Sequence, residues 1–443
     1  MKNFKKILLV TASTIAISTA AFASSVSSAE TPVVSDLKVK LNAFAHFQAG
    51  HRTQSKLTGS EKNVSSHRKT FAFYNDAAMV AEISNEANEM TYGAKIILVP
   101  TAKRKSSPTY NGSHIFLKSN FGKLEVGSPI PASANMIIDE GAITAGSGNW
   151  DNYIASTPST FSIQDSAAKP SFATSSDFFL DSKLATSLDA RKYSAEPARS
   201  ISFYTPKFNF GESTKVQIGV TYVPDSSNTG ADSASSHSSG KDKHILSIPA
   251  IGGAASINRF EIDRTVKDAI AAGVTFEQNF ADGIDFKMAL TGEYGKAAGK
   301  AKRFATEDDP NPAEFKLSNL RTYNIGAVLT VGNFSYSGSY GSLGKSLTTP
   351  EFHKTGRKTD FYSGAIAYKQ GPFAASVSYF KSHQFKNTVD TISIGTNYLL
   401  APGFKPYAEI SGFSLKGKPE FHPEASKKKT RGTVALIGAK LSL

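Results

Sequence analysis

The feature that most constrains this chain is a two-residue rhythm: over stretches of ~9–11 residues, apolar and polar side chains alternate, and the pattern returns along the whole sequence. In the first instance Leu37, Val39, Leu41, Ala43, Ala45 and Phe47 alternate with Lys38, Lys40, Asn42, Phe44, His46 and Gln48, and only Phe44 breaks the polar side. Val216, Ile218, Val220 and Tyr222 alternate with Lys215, Gln217, Gly219 and Thr221, and Ile284, Phe286, Met288 and Leu290 with Asp285, Lys287, Ala289 and Thr291. The clearest case is Tyr323, Ile325, Ala327, Leu329 and Val331 against Thr322, Asn324, Gly326, Val328 and Thr330; a Gly332-Asn333 turn then leads into Phe334, Tyr336 and Tyr340 against Ser335, Ser337 and Ser339. Each stretch is a strand with one greasy and one wet face.

A soluble sandwich shows the same parity, so alternation does not say which face meets water. The connections separate the two cases, because tight and long ones take turns. Tight turns fall near Asn85–Asn88, Asn120-Phe121-Gly122, Phe208–Gly211, Asn279–Gly283, Gly332-Asn333, Gln370-Gly371-Pro372 and Leu400–Gly403. Between them lie Arg52–Arg68, Thr101–Tyr110, Pro129–Ala198, Pro224–Arg264, Gly295–Leu320, Ser342–Lys358, His383–Thr388 and Ser414–Thr430. Short turns at one end and long loops at the other are expected of an outer-membrane barrel. No window holds 18 uninterrupted apolar residues, so strands must do any crossing. The expected fold is all-β, an antiparallel transmembrane barrel of about sixteen strands, and eighteen if an extra hairpin lies in the long third loop. Loops such as Asp225–Lys243 are too rich in Ser, Gly and charge to bury a core of their own, so no second domain is expected.

Lys2, Lys5 and Lys6 precede an apolar run from Ile7 to Ala21, and Ala21-Phe22-Ala23 has the small-x-small form of a signal-peptidase site. Residues 1–23 are therefore expected to be an export leader and residues 24–443 a single barrel domain. An anchoring helix needs roughly 20 apolar residues, and Thr11, Ser13, Thr14 and Ser18 interrupt this run. The chain has no Cys, so disulfides do not staple it; a closed sheet has no frayed edge to staple. Fifty Lys and Arg oppose 37 Asp and Glu, a net of +13, and removing the leader's three lysines and no acid leaves +10. That excess is either solvated on loops or biases the lumen toward anions. Nucleic acid is not an expected partner, because the leader carries the chain away from it and no recognition helix is evident.

At this point the residues resemble a known family, the Gram-negative porins. Met90-Thr91-Tyr92-Gly93-Ala94-Lys95 is similar to the family's third strand, and Ile115-Phe116-Leu117 through Phe121-Gly122-Lys123-Leu124-Glu125-Val126-Gly127 to its fourth strand, turn and fifth strand. Arg199–Pro206 resembles the strand that leaves the third loop, and Pro402–Glu409 the penultimate hairpin. Two departures stand out. The chain ends Lys440-Leu441-Ser442-Leu443 and not in the aromatic residue that the family's assembly machinery reads, although Ile437, Ala439, Leu441 and Leu443 keep the outward parity. The third loop, about residues 129–198, is longer than a simple inward fold needs, and the family's usual acidic loop signature is absent from it.

The resemblance implies a constriction where the third loop enters the barrel and sets acids against bases on the wall. Strand parity nominates Lys38, Lys40, Lys95, Lys118 and Lys440 as lumen-facing wall bases, with the rim as the alternative position for each. Asp139, Glu140 and Asp151, beside the single Trp150, are the loop acids. No nucleophile elbow, His-Glu-x-x-His, phosphate loop or cysteine site is present, and the nine His are scattered, so neither an enzyme nor a cofactor is expected. Tyr222, Tyr323, Phe334, Tyr340, Tyr362, Tyr368, Tyr379 and Tyr398 fall near strand ends on the apolar parity, where an aromatic girdle belongs. Lys416, Lys418 and Lys427–Lys429 form a basic loop that either meets lipopolysaccharide or stays solvated.

The expected function is a porin: a water-filled channel for passive diffusion of small hydrophilic solutes and ions, with a mild anion preference, in the lipid and lipopolysaccharide of the outer membrane. The resemblance implies a homotrimer. The alternatives are a non-conducting barrel that acts as an adhesin or structural surface protein, and a channel selective for phosphate or another anion.

Overall fold

In the computed structural model, the described residues are 37–54, 70–99, 109–146, 148, 153, 162–164, 170–172, 197–228, 243–249, 257–280, 283–303, 314–349, 359–384, 387–416 and 429–443. Residues 1–23, expected to be an export leader, and the acid Asp151 lie outside them. The strands, in chain order, are β1 (Lys38–Gln54), β2 (Phe71–Ala87), β3 (Met90–Val99), β4 (Thr109–Ser119) and β5 (Gly122–Gly127). After the third loop come β6 (Ser200–Tyr204, continued by Phe208–Phe210), β7 (Thr214–Asp225), β8 (Val266–Phe280), β9 (Ile284–Ala297), β10 (Leu320–Val331) and β11 (Phe334–Gly344). The wall ends with β12 (Thr359–Gln370), β13 (Phe373–Gln384), β14 (Asn387–Tyr398), β15 (Phe404–Lys416) and β16 (Lys429–Ser442).

All of them join one 17-segment sheet, and because the two pieces of β6 lie end to end along β7, the sheet has sixteen staves. Neighbours in sequence are neighbours in space, and β1 pairs antiparallel with β16 from Phe44 opposite Ser442 to Gln54 opposite Gly432. That pairing closes the barrel and leaves no edge, so backbone groups at membrane depth are satisfied within the sheet, where each orphan would cost several kcal/mol.

Burial settles the wet side. Ile115, Ile394 and Ile437 are 63%, 61% and 65% exposed, while Gln48, Asn324 and Ser411 on the opposite parity are fully buried. A soluble sandwich would be the reverse. Aromatic side chains pair near both ends of the strands on the outer face. Tyr323 and Tyr340 (centroids 6.0 Å apart) and Tyr362 and Tyr379 (6.3 Å) lie toward the loops, and Phe334 and Tyr368 (5.0 Å) lie at the turns.

Most tight turns fall near where the sequence places them, except that Phe208–Phe210 is strand and the turn follows it at Gly211–Ser213, while the Asn279–Gly283 turn lies partly outside the described residues. Asn88 and Glu89 both have positive φ (49° and 63°), which matches the right-handed twist of the β2–β3 hairpin, and Gly371 (φ 54°) does the same before Pro372. The hairpin in the third loop exists, Ser162–Gln164 with Pro170–Phe172, but it forms its own two-stranded sheet, so the wall stays at sixteen. Two other loops hold more order than their composition suggests. Lys243–Pro249 and Ile257–Asp263, between β7 and β8, join Lys300–Arg303 and Glu314–Lys316, between β9 and β10, in a four-stranded sheet. Each loop forms its own hairpin, and the pairing of Ile257–Asp263 with Lys300–Arg303 joins the two, which a loop-by-loop reading does not reveal.

Candidate functional site: the lumen and its inner loop

The inner face is less uniformly polar than the alternation suggests. Phe361, Phe380, Val389, Phe413, Leu415, Val434 and Leu436 point inward from β12 to β16 and pack into one cluster, and Val223, Val266, Ala269 and Leu320 form a second cluster from β7 to β10. These apolar patches narrow the loop end of the lumen and give the third loop a dry surface to lie on.

The loop enters the barrel after β5 and follows the wall. Pro131 precedes a four-residue helix, α1 (Ala132–Asn135), which packs on β7, β8 and β9. Ala132 N donates to Thr221 Oγ1 (2.8 Å) and Ser133 Oγ to Glu293 (2.7 Å). Met136 then lies over Gly219 and Gly273, and Ile138 O sits so close to Gly326 that a Cβ there would fall 1.8 Å from it. The turn Glu140–Ala142 rests on β11 and β12. Ala145 N donates to Ser376 Oγ on β13 (2.8 Å), and Ala145 O lies where a Cβ on Gly395 of β14 would stand. Gly148 N donates to Glu409 on β15 (2.8 Å), Lys440 on β16 donates to Gly146 O (2.9 Å), and Arg52 on β1 donates to Tyr153 O (2.6 Å). From β7 to β1 the segment touches nearly every stave in order, so it is a belt strapped to the inner wall. Its charge-assisted fastenings are worth ~1.5–3 kcal/mol each.

Glu293, Glu409, Thr221, Ser376 and Arg52, which hold this belt, escape a reading by residue type. The available signal was an acid on inward parity among Ser, Thr and Gly, as at Glu293 after Thr291-Gly292.

Among the nominated bases, Lys95 and Lys118 lie on the inward parity of β3 and β4, with Lys95 beside Glu82 and His114 and Lys118 directly opposite Lys123. Lys440 is inward but committed to the belt, its ammonium also 5.4 Å from the Tyr407 ring. Lys38 and Lys40 are exposed, and Lys40 lies before the first β1–β16 pair, at the turn end. Of the acids, Asp139 is buried and Glu140 is half-buried, the latter in the turn that rests on β11 and β12. In a barrel of sixteen staves, β3 and β4 stand half a circumference from β11 and β12, the staves on which the Glu140–Ala142 turn rests.

Beneath the belt a cavity of about 670 Å³ opens toward the turns, lined by Lys118, Lys123, Lys207 and Lys287, by Glu125 and Glu277, and by Tyr204, Met136 and Ile138. Pro206 has a part in this. Three residues, Thr205 to Lys207, oppose only Gln217 and Ile218 on β7, a bulge in which Thr205 Oγ1 accepts Ile218 N (3.0 Å). The extra residue shifts parity by one and turns Lys207 inward to Glu277 (2.9 Å).

A family model described as Gram-negative porin matches residues 12–418. The chain belongs to the Gram-negative porin family. It is similar to uncharacterized proteins of Rickettsia bellii (45% identical, covering 99% of this chain and 99% of the relative), Rickettsia felis (43%, 98% and 99%) and Rickettsia prowazekii (42%, 92% and 93%). Among solved structures it is similar to an anion-selective porin from Comamonas acidovorans (12% identical, TM-score 0.49, 92% of this chain and 100% of that one) and to a variant of the Rh. blastica porin (11%, 0.46, 92% and 100%). The porin is thus an outer-membrane channel protein, and its chemistry is that of a lined passage. No helix among the described residues is long and apolar enough to cross a membrane, which says nothing of strands.

Proposed function

We propose that this porin conducts small hydrophilic solutes and ions by passive diffusion, with a mild preference for anions. The observation that carries the reading is the inside-out wall combined with a belt fastened along its inner face, beside a lysine-lined cavity. Opposed charges across such a gap order its water, so a solute keeps its hydration only if it is polar. Lys95 and Lys118 supply the positive side and Glu140 with Asp151 the negative side, while Asp139, which is buried, does not face the gap; Lys40 acts at the turn-end mouth, Lys38 is an exposed base outside the constriction, and Lys440 acts by holding the loop.

In the same reading residues 1–23 are removed on export, residues 24–443 form the mature barrel with about residues 129–198 as constriction loop, and three copies assemble within lipid and lipopolysaccharide. Purified protein in a planar bilayer should give discrete current steps, and a salt gradient should give a reversal potential on the anion side. A clear cation preference would end the selectivity proposal. The four-stranded sheet built by two loops favours a second reading, a display barrel, and protein that assembles but gives no steps would support it over the first.

A further inference from the structure

We infer that the cavity beneath the belt is a binding subsite for multivalent anions of the phosphate-ester class. The inference rests on the channel reading above and names what that channel holds in passing. Four lysines line the cavity against two glutamates, and both glutamates are already engaged. Glu125 holds Lys123 at 2.6 Å, and Glu277 holds Lys207 at 2.9 Å. Lys118 makes no ion pair among the described residues and stands directly opposite Lys123 across the β4–β5 ladder. Like charges placed opposite each other on one face of a sheet repel, and among the residues lining the cavity no acid relieves this pair beyond the one Lys123 uses. At the other end, Glu277 faces Lys215 on one side and Lys287 on the other while it binds Lys207. One carboxylate therefore serves three amines.

The lining thus carries an excess of two positive charges, split between β4–β5 and the group of Lys207 at the β6 bulge with Glu277 and Lys287 on β8 and β9, with Tyr204, Met136 and Ile138 between them and Asn135, Thr205 and Gln217 as further polar groups. Chloride satisfies one such amine at a time. A phosphate monoester carries close to two negative charges at neutral pH and three acceptor oxygens, so it neutralises the excess, and its organic body has the Tyr204–Met136 shelf to lie on. Lysine ammonium groups bind phosphate as point charges without fixing its orientation, which suits a site that must also release its occupant.

The test uses the full porin in a planar bilayer in potassium chloride, with glucose 6-phosphate as the probe and glucose as its neutral control. The expected result is a reversible, concentration-dependent block of single-channel current by glucose 6-phosphate and none by glucose at the same concentration. Lys118→Gln with Lys287→Gln should raise the half-blocking concentration about tenfold, on the order of what one charge-assisted hydrogen bond contributes. Lys345→Gln with Lys369→Gln, exposed residues outside the cavity lining, removes the same charge and should leave the block unchanged. If the first double variant does not assemble, K118Q and K287Q singly should each shift the block by about threefold. Block no stronger than that of glucose, or an equal shift in both double variants, overturns the subsite while leaving the channel intact. Absence of current steps would instead overturn the channel reading.

Discussion

Replacing Gly326 by alanine tests whether the belt is pressed against the wall as tightly as the geometry indicates. The new Cβ would fall 1.8 Å from Ile138 O and 3.2 Å from Ser339 Cβ. Ordinary contact begins near ~3.4 Å, so the carbonyl must retreat by about 1.6 Å. A backbone oxygen has no rotamer to escape into, and the wall behind Gly326 is held by its register with Ala289 and Ser339. The only free direction is the lumen. Overpacking of this size costs ~1–3 kcal/mol, too little to undo a closed sheet, so the variant should assemble and conduct less, with slower entry of neutral sugars in liposome swelling. Gly338→Ala is the matched control: it sits on the adjoining strand and faces outward, and its Cβ would meet nothing nearer than 3.8 Å. If G326A and G338A both conduct like the parent, the tight packing of the belt is refuted.

Other consequences follow from the same geometry. Glu409→Gln with Lys440→Ala weakens or removes two fastenings of the segment near Gly146 and Gly148, worth ~1.5–3 kcal/mol each, and should raise open-channel noise and lower the voltage at which the pore closes; unchanged noise would show that the apolar cluster alone holds the loop. Tyr153 is buried with no hydrogen bond to its hydroxyl among the described residues, so Tyr153→Phe should leave the thermal midpoint unchanged or higher by up to ~1 kcal/mol of stability, and a lower midpoint would reveal a partner for the hydroxyl. Burial also pushes the Tyr153 phenol above its free value of 10.0. Its neutral form is thus favoured in the folded chain, stability is retained below pH ~10 and lost above it, and the phenylalanine variant should flatten that alkaline loss. Lys95→Gln should move the reversal potential toward zero without changing assembly, and a shift the other way would place the ammonium outside the conducting path.

Strands, turns and the aromatic rings were legible because each depends on neighbours two to ten residues apart: Tyr323 and Tyr340, for example, are fixed on the outer face by parity alone. The inward placement of Lys95, Lys118 and Lys440 came from the same counting. What was not legible joins distant parts of the chain. Ser133 with Glu293, and Arg52 with Tyr153, meet only because a closed wall brings their staves around the loop, and no periodicity carries that information. The Pro206 bulge breaks the counting itself: continued from inward Tyr204, parity sends Lys207 outward, and one unmatched residue turns it in. The inward-facing cluster around Phe361 and Phe413 escaped for a related reason, since large apolar side chains on the wet parity find their dry surroundings only in one another and in the loop.

The seam between β1 and β16 has a consequence for biogenesis. Ala43 and Leu443 exchange hydrogen bonds in both directions, at 3.0 and 2.8 Å, so the stave made last is the one that zips to the first. Until it arrives, the growing sheet offers two bare borders, each competent to recruit a stranger. Any surroundings in which this sheet grows stave by stave have to keep both borders covered at once, and a change that weakens the Ala43–Leu443 pair burdens the closing step, whereas a change in an outer loop does not.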